Sequence, residues 1–215
     1  MGEVVLNLKN IDKRFEQKVV FQNFSMEVKK GEFVTVQGVS GSGKSTLLNM
    51  IGLLDTYDNG VIELFGQKNI KPFSRNANRM LRTKIGYLFQ NFALINNETV
   101  YYNMHIAIKH HKFPDEDVLI KNALVEVGLK GFEDQKVFKC SGGEQQRIAI
   151  ARLLIKPCEL ILADEPTGSL DGKNKEEIFK LLLEMNEKGK TLVVVTHDPS
   201  LVKLSHRSIN INQGF

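Results

Sequence analysis

Leu6 and Leu8 alternate with Asn7 and Lys9, and Phe24, Met26 and Val28 alternate with Ser25, Glu27 and Lys29. A period of two sends alternate side chains to opposite faces of a pleated strand, so both stretches read as strands with one wet face. The first fifth of the chain is therefore expected to be antiparallel. The runs Leu160-Ile161-Leu162-Ala163 and Leu192-Val193-Val194-Val195 are apolar without a break, the pattern of parallel strands covered on both faces. Ile120, Ala123, Leu124 and Val127, and again Ile178, Leu181, Leu182 and Met185, recur at helical spacing, with Gly128 and Gly189 placed to end each helix in a left-handed residue. From about Thr99 to Lys139 the periodicity is helical, and strands lie on either side. The pattern predicts an α/β core with a helical insertion.

Composition narrows the class. The 215 residues are 42% hydrophobic and 25% charged, which excludes disordered, collagen-like and disulfide-scaffold chains and predicts one principal core spanning residues 1–215. A net charge of +4, from 29 basic and 25 acidic side chains, is too small to argue for nucleic acid. Cys140 and Cys158 form neither a disulfide framework nor a zinc pattern, so a reducing compartment is expected. No apolar run approaches the ~18 residues of a membrane span, and the start of the chain has no basic segment leading into an apolar one. Gly2 fails the myristoylation pattern because Leu6 stands where Ser or Thr is required. No repeat or linker interrupts the chain, and with its last strand followed so soon by Gly214 no C-terminal regulatory domain is expected.

The chemistry begins after the apolar strand Phe33-Val34-Thr35-Val36. Gly38-Val39-Ser40-Gly41-Ser42-Gly43-Lys44-Ser45 fits G-x-x-x-x-G-K-[ST] between a strand and a helical segment. Glycines there let backbone N–H groups converge on phosphate oxygens, and the helix N-terminus adds its positive end. Lys44 is placed to reach the β- and γ-phosphates and the Ser45 hydroxyl to ligate Mg²⁺. The apolar run at 160–163 ends in Asp164-Glu165. Strand alternation sends neighbouring side chains apart, which assigns Asp164 to the metal and Glu165 to general base.

A second glycine turn occurs at Ser141-Gly142-Gly143-Glu144, where Ser141 and Glu144 have capping-box spacing ahead of an apolar helix. Ordinary capping explains the serine and glutamate. It does not explain two glycines in a first helical turn, each costing about 1 kcal/mol. Close approach of an anion does.

These elements resemble the nucleotide-binding subunits of ATP-binding cassette (ABC) transporters over essentially the whole chain, and Ser141-Gly142-Gly143 is similar to that family's signature motif. The resemblance implies that Phe15 stacks on adenine, that Gly38, Val39, Ser40, Gly41, Ser42, Gly43, Lys44, Ser45 and Thr46 hold the phosphates, and that Gln90 serves both metal and catalysis. It makes Ser141, Gly142, Gly143 and Gln145 the signature, Asp164 and Glu165 the Walker B end, Asp171 of Ser169-Leu170-Asp171 a nucleotide contact, and His197 the switch histidine. The implied fold is a P-loop (RecA-like) core with an N-terminal antiparallel β part, residues 1–90 and 141–215, and a helical signature subdomain over about 91–140. It also implies ATP and Mg²⁺ as cofactors. The implied assembly is a head-to-tail homodimer or cassette heterodimer, each ATP covered by Ser141 and Gly143 of the other chain. An integral-membrane permease subunit would be its partner, and the chain would be cytoplasmic and peripheral on the inner face of the cell membrane. No nucleic acid is expected. Residues 82–90, 141–147 and 163–171 resemble the lipoprotein-release, macrolide-export and cell-division branch, and the short length is similar to antimicrobial-peptide exporters. A soluble ABC ATPase with a remodelling role is the alternative, although the fused second cassette or long coiled coil usual in such proteins is lacking. A phosphate-loop kinase gives no reason for Ser141-Gly142-Gly143.

Cys140 stands where leucine is usual and is read first as a small apolar packing residue; the alternative is that its place beside a helix N-terminus lowers its pKa and invites oxidation. Phe15 replaces the commoner tyrosine and keeps the stacking face. Between Leu64 and Asn97 there is no acid, while Lys68, Lys71, Arg75, Arg79, Arg82 and Lys84 accumulate; a solvated face is the first reading and membrane proximity the second. His110-His111 has no partner at ligand spacing and reads as surface. Phe92 and Leu94 either line a groove for a membrane subunit's coupling helix or pack in the core.

Overall fold

The computed structural model describes residues 2–168 and 172–211, apart from the side chains of 172–174. Strands β1 (Val4–Phe15) and β2 (Lys18–Lys29) form a long hairpin, and β3 (Phe33–Gln37) runs through a loop into α1 (Lys44–Ile51). Then come β4 (Asn59–Leu64), β5 (Gln67–Lys68), α2 (Arg75–Thr83) and β6 (Ile85–Leu88). Helices α3 (Val100–Ile108), α4 (Glu116–Glu126) and α5 (Gly142–Ile155) follow, then β7 (Leu160–Asp164), α6 (Gly172–Glu187), β8 (Thr191–Val195), α7 (Pro199–Leu204) and β9 (Arg207–Asn210). Among the described residues one sheet is antiparallel in the order β2-β1-β4-β5, and the other is parallel in the order β6-β7-β8-β3-β9. The expected antiparallel start is present, and it gains β4 as the second neighbour of β1, with Leu6 opposite both Val28 and Leu64. Gly128 (φ 73°) and Gly189 (φ 89°) take the left-handed conformation after α4 and α6.

The unbroken apolar runs follow from cover on both faces of the parallel sheet. Ile161, Ala163, Leu192 and Val194 join a core with α3 to α6, while Leu160, Leu162, Val193, Val195, Val34 and Val36 join a second core with α1 and the antiparallel sheet. Each fully buried Leu or Val there contributes about 1.5–3 kcal/mol of transfer free energy. Leu47, Leu48, Met50 and Ile51 of α1 are all buried in the second core, which pins the N-terminus of α1 beside the carboxyl ends of β3, β7 and β8. In open α/β sheets that edge is where ligands bind. Helices α3 and α4 pack on α5, so the helical layer runs past residue 140 into α5.

Candidate nucleotide site

The loop between β3 and α1 depends on glycine at two positions where a side chain would collide with its surroundings. Gly38 has φ 155°, and a Cβ there would lie 2.4 Å from the Ile211 carbonyl oxygen and 2.6 Å from Ser42 Oγ. Gly43 has φ 96°, and its Cβ would lie 2.4 Å from Val20 Cγ1. Packing against the protein's own atoms therefore demands these two glycines. Gly41 is also left-handed, at φ 75°. The Lys44 ammonium donates to the carbonyls of Gly38 (2.8 Å) and Val39 (2.9 Å), tying the loop's end to its start. The first helical hydrogen bond runs from Leu47 N–H to Gly43 O, which leaves the N–H groups of Lys44, Ser45 and Thr46 without an intrahelical acceptor. The Ser42 hydroxyl is buried without a partner. Positive charge, free donors and an oxygen of Ser45 beside a carboxylate make the donor set that a nucleotide phosphate and a divalent cation require.

A cleft of about 600 Å³ opens over this loop, lined also by Phe15, Gln90, Asp164, Glu165 and His197. Asp164, the last residue of β7, is buried. Burial raises its pKa and the nearby Glu165 adds to this, while a hydrogen bond from Ser45 and the charge of Lys44 oppose it. Alternation along the strand does not separate the two carboxylates as expected. Glu165 has left the strand with a left-handed backbone (φ 46°), and both side chains line the same cleft. A non-glycine residue held at positive φ is strained and persists only where its surroundings over-determine it. Here Glu165 N–H donates to Val195 O (3.0 Å), and Gly168 N–H donates to Glu165 O (3.1 Å). The exposed His197 places Nδ1 2.9 Å from Glu165 Oε1, so an ionised glutamate accepts from that nitrogen.

Phe15, half exposed at the end of β1, lies under the Lys13 ammonium, which is 4.5 Å from the ring centroid. Lys13 is itself buried and held by Asp55 Oδ1 (3.0 Å) and Thr56 O (2.7 Å). Gln90 follows β6, and two residues beyond it the backbone of Phe92 (φ 63°) and Ala93 (φ 48°) turns left-handed. The Arg152 guanidinium of α5 donates to the carbonyls of both residues, at 2.8 and 2.7 Å. Phe92 and Leu94 pack against the helical core. Sequence reasoning missed Lys13 and Arg152. Their signals were a lysine on the buried face of a strand and a lone cation inside the apolar run of α5.

The second glycine turn lies elsewhere. Ser141 caps α5: its hydroxyl accepts from Glu144 N–H (3.3 Å), and Glu144 Oε2 accepts from Ser141 N–H (2.7 Å). Gln145 Nε2 donates to Cys140 O (3.0 Å), and a Cβ on Gly142 would meet nothing within 4 Å. None of Ser141, Gly142, Gly143 and Gln145 lines the cleft. Asp171 lies outside the described residues. The Cys140 thiol is buried, as its packing reading expects, and burial pushes its pKa up, with the Glu144 carboxylate acting in the same direction against a hydrogen bond from Gln135, contrary to the alternative of a lowered pKa. Burial likewise pushes up Cys158. In the native protein at pH 7.5 both thiols are expected to react with iodoacetamide more slowly than free cysteine, and both should alkylate readily in denaturant; mass spectrometry after timed quenching checks this.

Residues 21–168 match the family model described as ABC transporter. The chain is 39% identical over 210 residues to the macrolide export ATP-binding/permease protein MacB of Campylobacter jejuni, covering 96% of this chain and 33% of that protein. It therefore spans about a third of the length of the MacB relatives. It is 37% identical to the lipoprotein-releasing system ATP-binding protein LolD of Aquifex aeolicus, covering 98% of this chain and 95% of that one. The solved dimeric structure of MJ0796, a bacterial ABC transporter cassette, superposes with a TM-score of 0.89 at 37% identity over 97% of this chain and 95% of that one. A second MJ0796 dimer, a post-hydrolysis state bound to ADP and Pi, gives 0.86 at 36% identity over 95% and 93%. Among the described residues no helix is long and apolar enough to cross a membrane. The chain belongs to the ABC transporter family, as an ATP-binding, ATP-hydrolysing cassette of the MacB and LolD type.

Proposed function

We propose that this cassette binds ATP with Mg²⁺ on its phosphate loop, closes head-to-tail on a second cassette, and drives export or extrusion through a separate integral-membrane subunit at the inner face of the cell membrane. One observation carries the reading. The phosphate loop, Asp164, Glu165 and His197 share a cleft, whereas the open glycine turn at Ser141-Gly142-Gly143 lies outside it. Two anion-seeking turns on one chain that do not meet are what a two-fold arrangement brings together, each cleft receiving the partner's turn.

In this reading Lys44 and the helix-start N–H groups hold the phosphates, and Phe15 stacks on the base. Ser45, Gln90 and Asp164 would hold Mg²⁺, which when bound offsets charge on the phosphate oxygens. Glu165 takes the proton of the attacking water, and His197 orients that carboxylate and faces the γ-phosphate. The buried Lys13 backs the ring of Phe15, so Lys13→Met is expected to weaken ATP binding about three- to tenfold, or up to ~1.4 kcal/mol. Turnover at saturating ATP should hold, and a fluorescent-nucleotide titration beside steady-state kinetics separates the two effects.

The transport reading is tested by tagging the chain in its host, solubilising the membranes gently, and identifying what copurifies by mass spectrometry. An integral-membrane subunit that stimulates ATP turnover in proteoliposomes is the expected result. Recovery with soluble proteins alone would leave the ATPase in place and overturn transport.

A further inference from the structure

A hollow of about 360 Å³ lies between α2 and the segment that follows α3, with Arg75, Asn78, Arg79, Arg82, His110 and His111 in its walls. His111 Nε2, 3.2 Å from the Arg82 carbonyl oxygen, joins the two sides. Among the described residues no aspartate or glutamate lines it, and none lines the neighbouring groove that Arg152 and Lys156 reach. Arg75, Arg79 and Arg82 recur at i, i+4 and i+7, so one face of α2 carries all three. These residues are exposed, and their side chains have no hydrogen-bond or ion-pair partner among the described residues.

The cluster opposes the helix that bears it. Like charges at i, i+4 repel, and Arg75 sits in a first turn that holds no acid, although the positive end of a helix favours an anion there. The same field reaches the histidines: desolvation first, then the charges of Arg82, Lys109 and His111, hold the His110 imidazole below its usual range. Positive charge that works against folding and walls a hollow is offset by a bound anion. Three guanidinium forks beside two imidazoles are a donor set that matches a phosphate group.

Phe73 decides which phosphate. It stands two residues before Arg75, 73% exposed, with a left-handed backbone (φ 59°), and belongs to neither core. Lys71, also exposed and without a counter-charge, flanks it. A soluble phosphate gives an apolar ring no role, whereas the interface of a bilayer takes aromatic rings and cations side by side. We infer that the hollow binds the headgroup phosphate of an anionic membrane lipid through Arg75, Arg79 and Arg82, and that Phe73 enters the bilayer interface. The cassette then touches the membrane through its own residues, which goes beyond the transport reading. The acid-free stretch between Leu64 and Asn97, first read as a solvated face, becomes a lipid-facing one.

The test uses the purified full chain in saturating ADP and Mg²⁺, so that the phosphate loop is filled. Vesicles of mixed phosphatidylglycerol and phosphatidylcholine should sediment it, and pure phosphatidylcholine vesicles should not. Replacing all three arginines, as Arg75→Gln, Arg79→Gln and Arg82→Gln together, is expected to weaken this binding about a hundredfold, at roughly fivefold per cation near an anionic surface. Phe73→Ser should weaken it about tenfold. ATP turnover of the isolated chain should be unchanged in both variants, and the triple variant should melt at or above the wild-type temperature because repulsion along α2 is relieved. A clearly lower melting temperature would return the cluster to a structural role and overturn the inference. So would vesicle binding that the triple variant keeps, or none by the wild type. Undiminished binding by Phe73→Ser would overturn the part given to the ring. Titration with inorganic phosphate, read on the arginine Nε resonances, separates the other source of the anion. Shifts at Arg75, Arg79 and Arg82 in a chain that ignores the vesicles would assign the hollow to a soluble phosphate and overturn the lipid. The assay holds no membrane subunit, so its failure leaves the transport reading standing, and failed copurification leaves lipid binding standing.

Discussion

Glu165→Gln is expected to slow ATP turnover by about 10² to 10⁴-fold, the range a positioned general base contributes, and to accumulate an ATP-bound dimer. The substitution preserves shape. Glutamine can keep a contact with His197 Nδ1, now 2.9 Å from Glu165 Oε1, and inherits the same left-handed backbone, so folding stability should change by no more than ~0.5 kcal/mol. What disappears is the proton acceptor. Removing its charge also relieves the repulsion that helps raise Asp164, so nucleotide binding should be retained or tightened. Single-turnover kinetics and sedimentation with ATP check both halves. Unchanged turnover would remove Glu165 from the base role, and slow turnover with no dimer would break the link between hydrolysis and opening.

Ser141→Arg is expected to leave ATP binding to the chain's own phosphate loop within about twofold while abolishing cooperative hydrolysis, because a bulky side chain replaces the open glycine turn's flank. The variant also loses the N-cap and the reciprocal bond to Glu144, which costs about 1 kcal/mol of stability. Ser141→Asp separates the two effects. Aspartate caps as well as serine but cannot replace the hydroxyl's donation to Glu144 Oε2 (2.9 Å), and its charge repels phosphate, so this variant should keep its fold, melting somewhat below the wild type, and still fail to close. Turnover measured against protein concentration reads closure directly. If either variant keeps the wild-type concentration dependence, the two glycine turns do not meet across a dimer.

The phosphate loop was readable because its information is local: consecutive glycines, a lysine and a serine between a strand and a helix specify a backbone path within ten residues. The parallel sheet was readable for a related reason, since burial on both faces removes the polar half of the alternation at 160–163 and 192–195. Strand β4 and helix α2 were not, because Asn59–Leu64 has a mixed pattern and α2 carries Arg75, Arg79 and Arg82 among few apolar residues. The relation of Asp164 to Glu165 was misread for the opposite reason. A rule for side chains within a strand was applied across a boundary where the backbone turns left-handed.

The sequence by itself determined the family, the order of the glycine turns, and which side chains are candidates to bind phosphate or move a proton, since each of these is carried by residues within one local stretch. Only the tertiary structure decided which of them share a cleft, that Lys13 backs Phe15 through Asp55 and Thr56, and that Arg152 grips a loop 59 residues earlier in the chain. It also decided that Cys140 is buried beside a carboxylate and that Lys156 faces a groove lined by no acid among the described residues. The physical reason is that a residue's charge state and partners are set by burial and by neighbours from distant segments. Hydrophobic packing, which brings those segments together, is non-directional and leaves no pairwise signature in a single chain.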